Sequence, residues 1–215
     1  MDDVPARIEH TVLGPTTTWE DVTATLDAAI RHGTRACIPP CYVERAREYA
    51  PGVELTTVVG FPHGQHLTAT KCAEADQVWS TGAAEIDVVA NLGALRNGDD
   101  EAIREELTEL VAAVPVPVKV IVEAPLLSED ELRRVCQAAV EADAAFVKTA
   151  TGFSEGGATV ADVAVMSEYL PVKASGGIRS WSFAEELFEA GATRIGTSSG
   201  PDIVTEYRDA ADDAT

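Results

Sequence analysis

Lys71, Lys119, Lys148 and Lys173 are the only lysines in the chain, and the last three each sit inside or at the end of a short apolar run: VKVIVE, AFVKTA and VKAS. Such runs read as β-strands. The intervals between these lysines each match one strand-plus-helix unit of roughly 30 residues, so the three side chains come from neighbouring parallel strands and approach one another. Two ammonium groups crowded together cannot both keep their charge cheaply. One is pushed toward the neutral amine, the form that attacks a carbonyl and makes a Schiff base.

Side chains alternate along a strand, which decides who faces the interior. With Val147 turned to the helices, Phe146 and Lys148 point inward; with Val172 turned out, Lys173 points in. On the fourth strand Ile86 and Val88 take the helix-facing positions, which turns Asp87 inward beside Val89. A buried carboxylate there is either paired or catalytic, because an isolated buried charge is too costly. Lys119 and Glu123 fall on one inward face of the fifth strand, about 13 Å apart at ~3.3 Å per residue. Glu123 is expected near the mouth and Lys119 deeper, and a buried charge network suits this pair as well as catalysis does. The bland reading of Lys148 and Lys173 is a set of structural ion pairs; their place at strand ends favours function.

A second set of signals is three small-residue loops at successive strand ends: TATGFSEGG, ASGGIRS and GTSSG. They can offer backbone N–H groups, hydroxyls and a helix N-terminus to a phosphate. One glycine cluster alone would mean little, since tight turns also need glycine.

The elements that must hold these residues follow from period. Short β-branched runs alternate with longer amphipathic stretches eight times, with no linker between them. The strands are RIEHTV, RACI, ELTTVVG, EIDVVA, VKVIVE, AFVKT, VKAS and RIGTS; helices fill 18–32, 41–49, 66–81, 99–113, 128–142, 157–169, 180–190 and 201–210. Helix starts are marked by Thr17 or Thr18, by Ser128 with Glu131 as a capping box, and by Ser180; Gly33, Gly82 and Gly191 mark stops. Eight such units predict an α/β fold, a (β/α)₈ TIM barrel spanning 1–215 as a single domain, with a flexible acidic tail at about 209–215. The rival, an open doubly wound sheet, lacks a GxGxxG turn after its first strand.

Composition sets the outer limits. With 36 acidic against 16 basic residues the formal charge is −20, a field that repels nucleic acid and anionic membrane surfaces; a bound phosphate must be held locally. Arginine far outnumbers lysine, and together with the charge this points to a chain adapted to a salt-rich cytoplasm. No apolar stretch reaches the ~18 residues of a membrane span and MDDVPARIEH is no secretory signal, so a cytoplasmic location is expected. Cys37, Cys41, Cys72 and Cys136 form no CxxC pair, and His63 and His66 in FPHGQH lack ligand spacing; neither a disulfide framework nor a metal site is indicated.

The residues taken together resemble the deoxyribose-phosphate aldolases, class I (Schiff-base) enzymes of (β/α)₈ fold. The similarity runs almost end to end, through IEHTVLGP, ACIPPCYV, TVVGFPHG, GAAEIDVVANLGAL, VKVIVEAPLL, FVKTATGF, VKASGGIRS and RIGTSSG. It implies that Lys148 forms the imine, that Lys173 is the cation lowering its pKa, and that Asp87 is the proton donor and acceptor. It implies further that Gly152, Gly176, Gly177, Gly196, Ser198 and Ser199 cradle the substrate phosphate, with Glu9, Cys37, Lys119 and Thr151 near the substrate. No cofactor and no metal are implied; the partners are a small sugar phosphate and an aldehyde, and a homodimer is the family expectation. The family often carries Asp where this chain has Glu9, and Lys where it has Gly14; the ending DDAT lacks the tyrosine-bearing tail of some members.

The implied reaction is reversible cleavage of 2-deoxy-D-ribose 5-phosphate to D-glyceraldehyde 3-phosphate and acetaldehyde. Rivals are another class I sugar-phosphate aldolase, a transaldolase-like barrel enzyme, or a non-catalytic barrel that binds a sugar phosphate.

Overall fold

The structure is a computed structural model that describes residues 3–213. Eight strands, β1 (Ile8–Thr11), β2 (Arg35–Ile38), β3 (Leu55–Val59), β4 (Glu85–Val89), β5 (Val118–Ile121), β6 (Phe146–Lys148), β7 (Val172–Ser175) and β8 (Ala192–Thr197), close into a barrel in sequence order. All neighbours are parallel, and β8 returns to pair with β1. That closure excludes the open doubly wound sheet. Around it, among the described residues, run α1 (Trp19–His32), α2 (Val43–Tyr49), α3 (Thr68–Ser80), α4 (Leu92–Arg96), α5 (Asp100–Ala112), α6 (Glu129–Glu141), α7 (Val160–Ser167), α8 (Trp181–Glu189) and α9 (Gly200–Asp213).

Local chemistry accounts for the helix ends. Thr18 and Asp21 form a reciprocal capping box at α1, Ser128 and Glu131 do the same at α6, and the Ser180 hydroxyl accepts from Phe183 N–H at α8; each such cap is worth about 1 kcal/mol. Gly33 closes α1 in the left-handed conformation, φ 75°, which costs glycine nothing. The short α4 was not foreseen: five residues inside what reads as a loop, capped by the Asn91 side chain on Gly93 and Ala94 N–H. Residues 209–213 of the expected tail are the end of α9, and 214–215 lie outside the described residues.

One strand is shorter than its sequence suggests. β5 stops at Ile121, and Glu123 adopts φ 50°, the left-handed region, at the head of a 3-10 turn over Ala124–Leu126. Lys119 and Glu123 therefore do not share a strand face. The departure is held by Glu123 itself, whose two carboxylate oxygens accept from Thr151 N–H at 3.0 Å and Thr151 Oγ1–H at 2.6 Å.

The apolar core lies between strands and helices, where Ile86, Val88, Val147 and Val172 are buried as the alternation requires. The barrel interior differs from the bulky aliphatic filling usual for this fold. Glu9, Asp87, Lys119 and Lys173 are fully buried there, with Glu85 close to it, so the strands enclose a layer of charge.

Candidate active site

Register brings the charged groups together. Lys148 and Lys173 are paired positions on β6 and β7, and Asp87 and Lys119 are paired on β4 and β5. Asp87 is the hub: its Oδ2 accepts from Lys148 Nζ at 2.8 Å and from Lys173 Nζ at 2.6 Å, and its Oδ1 accepts from Lys119 Nζ at 3.0 Å. Lys173 also donates to Glu9 Oε2, and Lys119 lies 2.6 Å from Glu85 Oε2 without hydrogen-bond alignment. Beneath them Arg194 sits 3.4 Å from Glu85 Oε1 and 3.6 Å from Glu9 Oε1. The two ammonium groups expected to confront each other directly are thus bridged by one carboxylate oxygen.

Burial alone would raise the Asp87 carboxyl, but Lys119, Lys148 and Lys173 reverse this and hold it well below the usual carboxylate range. Glu9 is raised by burial and lowered further by Lys119 and Lys173, ending below its ordinary value. Burial works against the Lys173 ammonium, yet Asp87 and Glu9 outweigh it and lift the group above the usual lysine range; Lys119 moves the same way for the same reasons. Both shifts favour the charged ammonium. Glu9, Cys37 and Asp87 bring potential ligand atoms within 4.8 Å of one another, but a metal ion there would sit against the Lys173 ammonium and compete with it for both carboxylates.

Above this layer opens a cavity of about 320 Å³ at the C-terminal strand ends. Lys148 lines it, whereas Asp87, Lys119 and Lys173 do not; of the four, Lys148 alone keeps measurable exposure, 3%. Most of the remaining wall comes from the three small-residue loops: Thr151, Gly152 and Phe153 after β6, Gly176, Gly177 and Arg179 after β7, and Gly196, Thr197 and Ser198 at the end of β8; Thr11 and Leu13 add to it from the β1 side. α9 starts at Gly200, just past this wall. In a chain of charge −20, the charged residues lining the cavity are Lys148 and Arg179, with no carboxylate. Such a lining can hold an anion locally inside a repelling field.

Comparison with known proteins agrees with this geometry. A sequence profile described as DeoC/LacD family aldolase matches residues 7–206. The chain belongs to the DeoC/LacD aldolase family. The deoxyribose-phosphate aldolase of Natronomonas pharaonis is 62% identical over 210 residues, 98% of this chain and 97% of that protein. Among solved structures, one described as QR15, an aldolase, superposes with a TM-score of 0.95 at 35% identity over 100% of both chains. The deoxyribose phosphate aldolase from Aeropyrum pernix, described as a unique tetrameric structure, gives 0.88 at 35% identity, covering 95% of this chain and 91% of that one.

Within the aldolase frame, the expected residues fall into two layers. Lys148, Thr151, Gly152, Gly176, Gly177, Gly196 and Ser198 line the cavity. Ser199 is absent from its wall; its N–H donates to Thr197 Oγ1 at 2.9 Å, which makes it a turn residue. Glu9, Cys37 and Lys119, expected near the substrate, are fully buried and are not wall residues. Cys37 is a thiol whose pKa burial raises, offset in part by Lys173. Gly196 has a role beyond backbone approach: a Cβ there would lie 2.8 Å from Lys173 Cε.

Sequence reasoning passed over Arg179, Thr11, Leu13 and Thr197 in the cavity wall. Arg179 was legible, standing in the ASGGIRS loop already singled out; Thr11 and Leu13 carry no signal of their own. It also passed over Lys71, which is fully buried on α3 and donates to Val89 O and Glu106 Oε1, both at 2.9 Å.

Proposed function

We propose that the chain catalyses the reversible cleavage of 2-deoxy-D-ribose 5-phosphate to D-glyceraldehyde 3-phosphate and acetaldehyde, as a class I aldolase with its imine on Lys148. The observation that carries the reading is that a single lysine reaches the cavity, and that it is tied to Asp87 beside the fixed cation Lys173. The family membership and the 62% identical relative support the substrate.

Lys173, held charged by Asp87 and Glu9, is the cation beside Lys148 on the shared Asp87 oxygen, and Lys148 attacks as the amine. The amine adds to C1 of the aldehyde, and water leaves to give a protonated imine. The electron pair of the C2–C3 bond moves into this sink while the C3 hydroxyl loses its proton; glyceraldehyde 3-phosphate departs and an enamine remains. The proton passes to Asp87 and returns through a water to the enamine C2, and hydrolysis frees acetaldehyde and the lysine. Asp87 suits a proton carrier by position: its Oδ2 already accepts from Lys148 Nζ at 2.8 Å. The phosphate is assigned to the N–H groups of Gly152, Gly176, Gly177 and Gly196, to Ser198 with Ser199 as turn support, and to Arg179. Thr151 keeps the β6 loop in place through Glu123.

Acetaldehyde with borohydride, followed by peptide mass mapping, tests the assignment. A reduced two-carbon adduct on Lys148, absent in Lys148→Leu, is expected; an adduct elsewhere would overturn it. Dihydroxyacetone phosphate as donor, if it served better than acetaldehyde, would favour the other sugar-phosphate aldolases. The assembly is proposed as a homodimer, and a tetramer mass by light scattering would replace that reading. A cytoplasmic location is proposed on the expected free thiols; among the described residues no helix is long and apolar enough to cross a membrane.

A further inference from the structure

Lys71 has no part in the chemistry proposed above, yet it is fully buried on α3, a place lysine almost never takes unless it is paired. Its ammonium donates to Val89 O and to Glu106 Oε1 on α5, both at 2.9 Å. The same Glu106 oxygen accepts from Asn91 N–H at 3.3 Å. Two helices thus reach in to bond main-chain groups two and four residues beyond Asp87.

The strand order explains why helices are needed there. β3 makes its last pairing with β4 at Val59 and Val88, and the chain then turns away at Gly60, φ 63°. The Lys71 stem fills the space beside that turn: a Cβ on Gly60 would lie 3.0 Å from Lys71 Cε and 3.2 Å from its Cδ. Glu74, about one turn further along α3, accepts from Gly60 N–H at 2.9 Å. On its other side β4 is still carried by β5, through Ala90 N–H on Ile121 O at 3.1 Å. The Val89 carbonyl, past the last β3 partner, is bonded by Lys71 in place of a strand neighbour.

Stability alone does not account for a buried ion pair at this place, because apolar side chains of similar volume are often as good or better for the fold. What apolar groups cannot do is grip a carbonyl and an N–H at set positions. Position matters at Asp87, whose carboxylate meets three ammonium groups at 2.6, 2.8 and 3.0 Å. A misplacement of about 1 Å at such a group can cost about 100-fold in rate.

We infer that Lys71 and Glu106 are positioning residues for Asp87: their ion pair fixes the end of β4 so that the carboxylate stands where it can pass a proton to and from the donor carbon. The inference rests on the proposed imine on Lys148 and the proposed proton transfer by Asp87.

The test removes both charges together, as Lys71→Met with Glu106→Leu, which leaves no buried ion unpaired. Acetaldehyde in heavy water reads the step that Asp87 serves. The methyl group of the iminium gives a proton to the carboxylate, the enamine forms, and a deuteron returns from the carboxyl after exchange with solvent. Methyl exchange and kcat for cleavage of 2-deoxy-D-ribose 5-phosphate should both fall about tenfold in the double variant, with KM and Tm close to wild type. Borohydride should still trap the two-carbon adduct on Lys148. Glu106→Gln keeps an oxygen for both donors but removes the charge facing Lys71; it should lower Tm and yet recover most of the lost rate. A double variant that exchanges like wild type, or rates that follow Tm across both variants, would overturn the positioning role alone. Failure of acetaldehyde to label Lys148 in wild type would overturn the proposed function and this inference together.

Discussion

Lys148 and Lys173 occupy paired positions on adjacent parallel strands and share one oxygen, Asp87 Oδ2, at 2.8 and 2.6 Å. The carboxylate lets two ammonium-bearing side chains sit within two hydrogen-bond lengths of each other. Lys173 has Glu9 as a second anion, while Lys148 has the open cavity. The asymmetry supports the proposed roles: one nitrogen faces two carboxylates, while the other faces one and the cavity.

Lys173→Leu removes the fixed cation. On the proposed role of Lys173, imine formation should then need a higher pH, because the cation that shares Asp87 Oδ2 with Lys148 is gone, and the rate near neutrality should fall by about 100-fold. A pH–rate profile of retro-aldol cleavage checks this; a profile that keeps its position would sink the role given to Lys173.

Asp87→Asn leaves three lysines without their common anion and should cost about 3–5 kcal/mol of stability at neutral pH. The pH dependence has a definite sign. Asp87 and Glu9 are depressed in the folded state, so their contribution is fully present above the unfolded carboxyl values near ~4 and disappears as pH falls through the folded ones. Wild type should therefore lose stability on acidification below about pH 4, and the variant less steeply. Parallel acid limbs in Tm against pH would contradict the assignment.

Gly196→Ala tests close packing under the cavity. The new Cβ would meet Lys173 Cε at 2.8 Å and Ser175 Cβ at 3.2 Å. Lys173 is fully buried and held by Asp87 and Glu9, so it has nowhere to swing. A loss of about 1–3 kcal/mol with a matching drop in activity is expected by denaturant unfolding and cleavage assay; a variant as stable and active as wild type would show the contact to be soft.

The charge of −20 makes self-repulsion a bulk property. Raising KCl from low to molar concentration shortens the screening length to about 3 Å, and Tm should climb with it. A flat or falling Tm would remove the case for salt adaptation.

Much of this was legible along the chain. Period-2 alternation turns Asp87, Lys148 and Lys173 inward, and caps such as Thr18 and Ser128 fix helix starts, because both depend on residues within one turn or one pleat of each other. Eight repeats of that local pattern sufficed for the barrel, and the small-residue loops named most of the cavity wall. Glu123 shows the first limit: its alternation continues a strand, and only the Thr151 contact on the next loop explains the left-handed turn that ends it. Lys71 shows the second, since it is as buried as Lys173 but lies on a helix facing Glu106, and residue type alone could not separate the two.

What only the tertiary structure decided is the pairing of charges. Glu9 reaches Lys173 across nearly the whole chain because β1 closes on β8, and three lysines converge on Asp87 because of register and barrel closure. Those are properties of the assembled sheet, set by long-range packing, and no local stretch of sequence carries them.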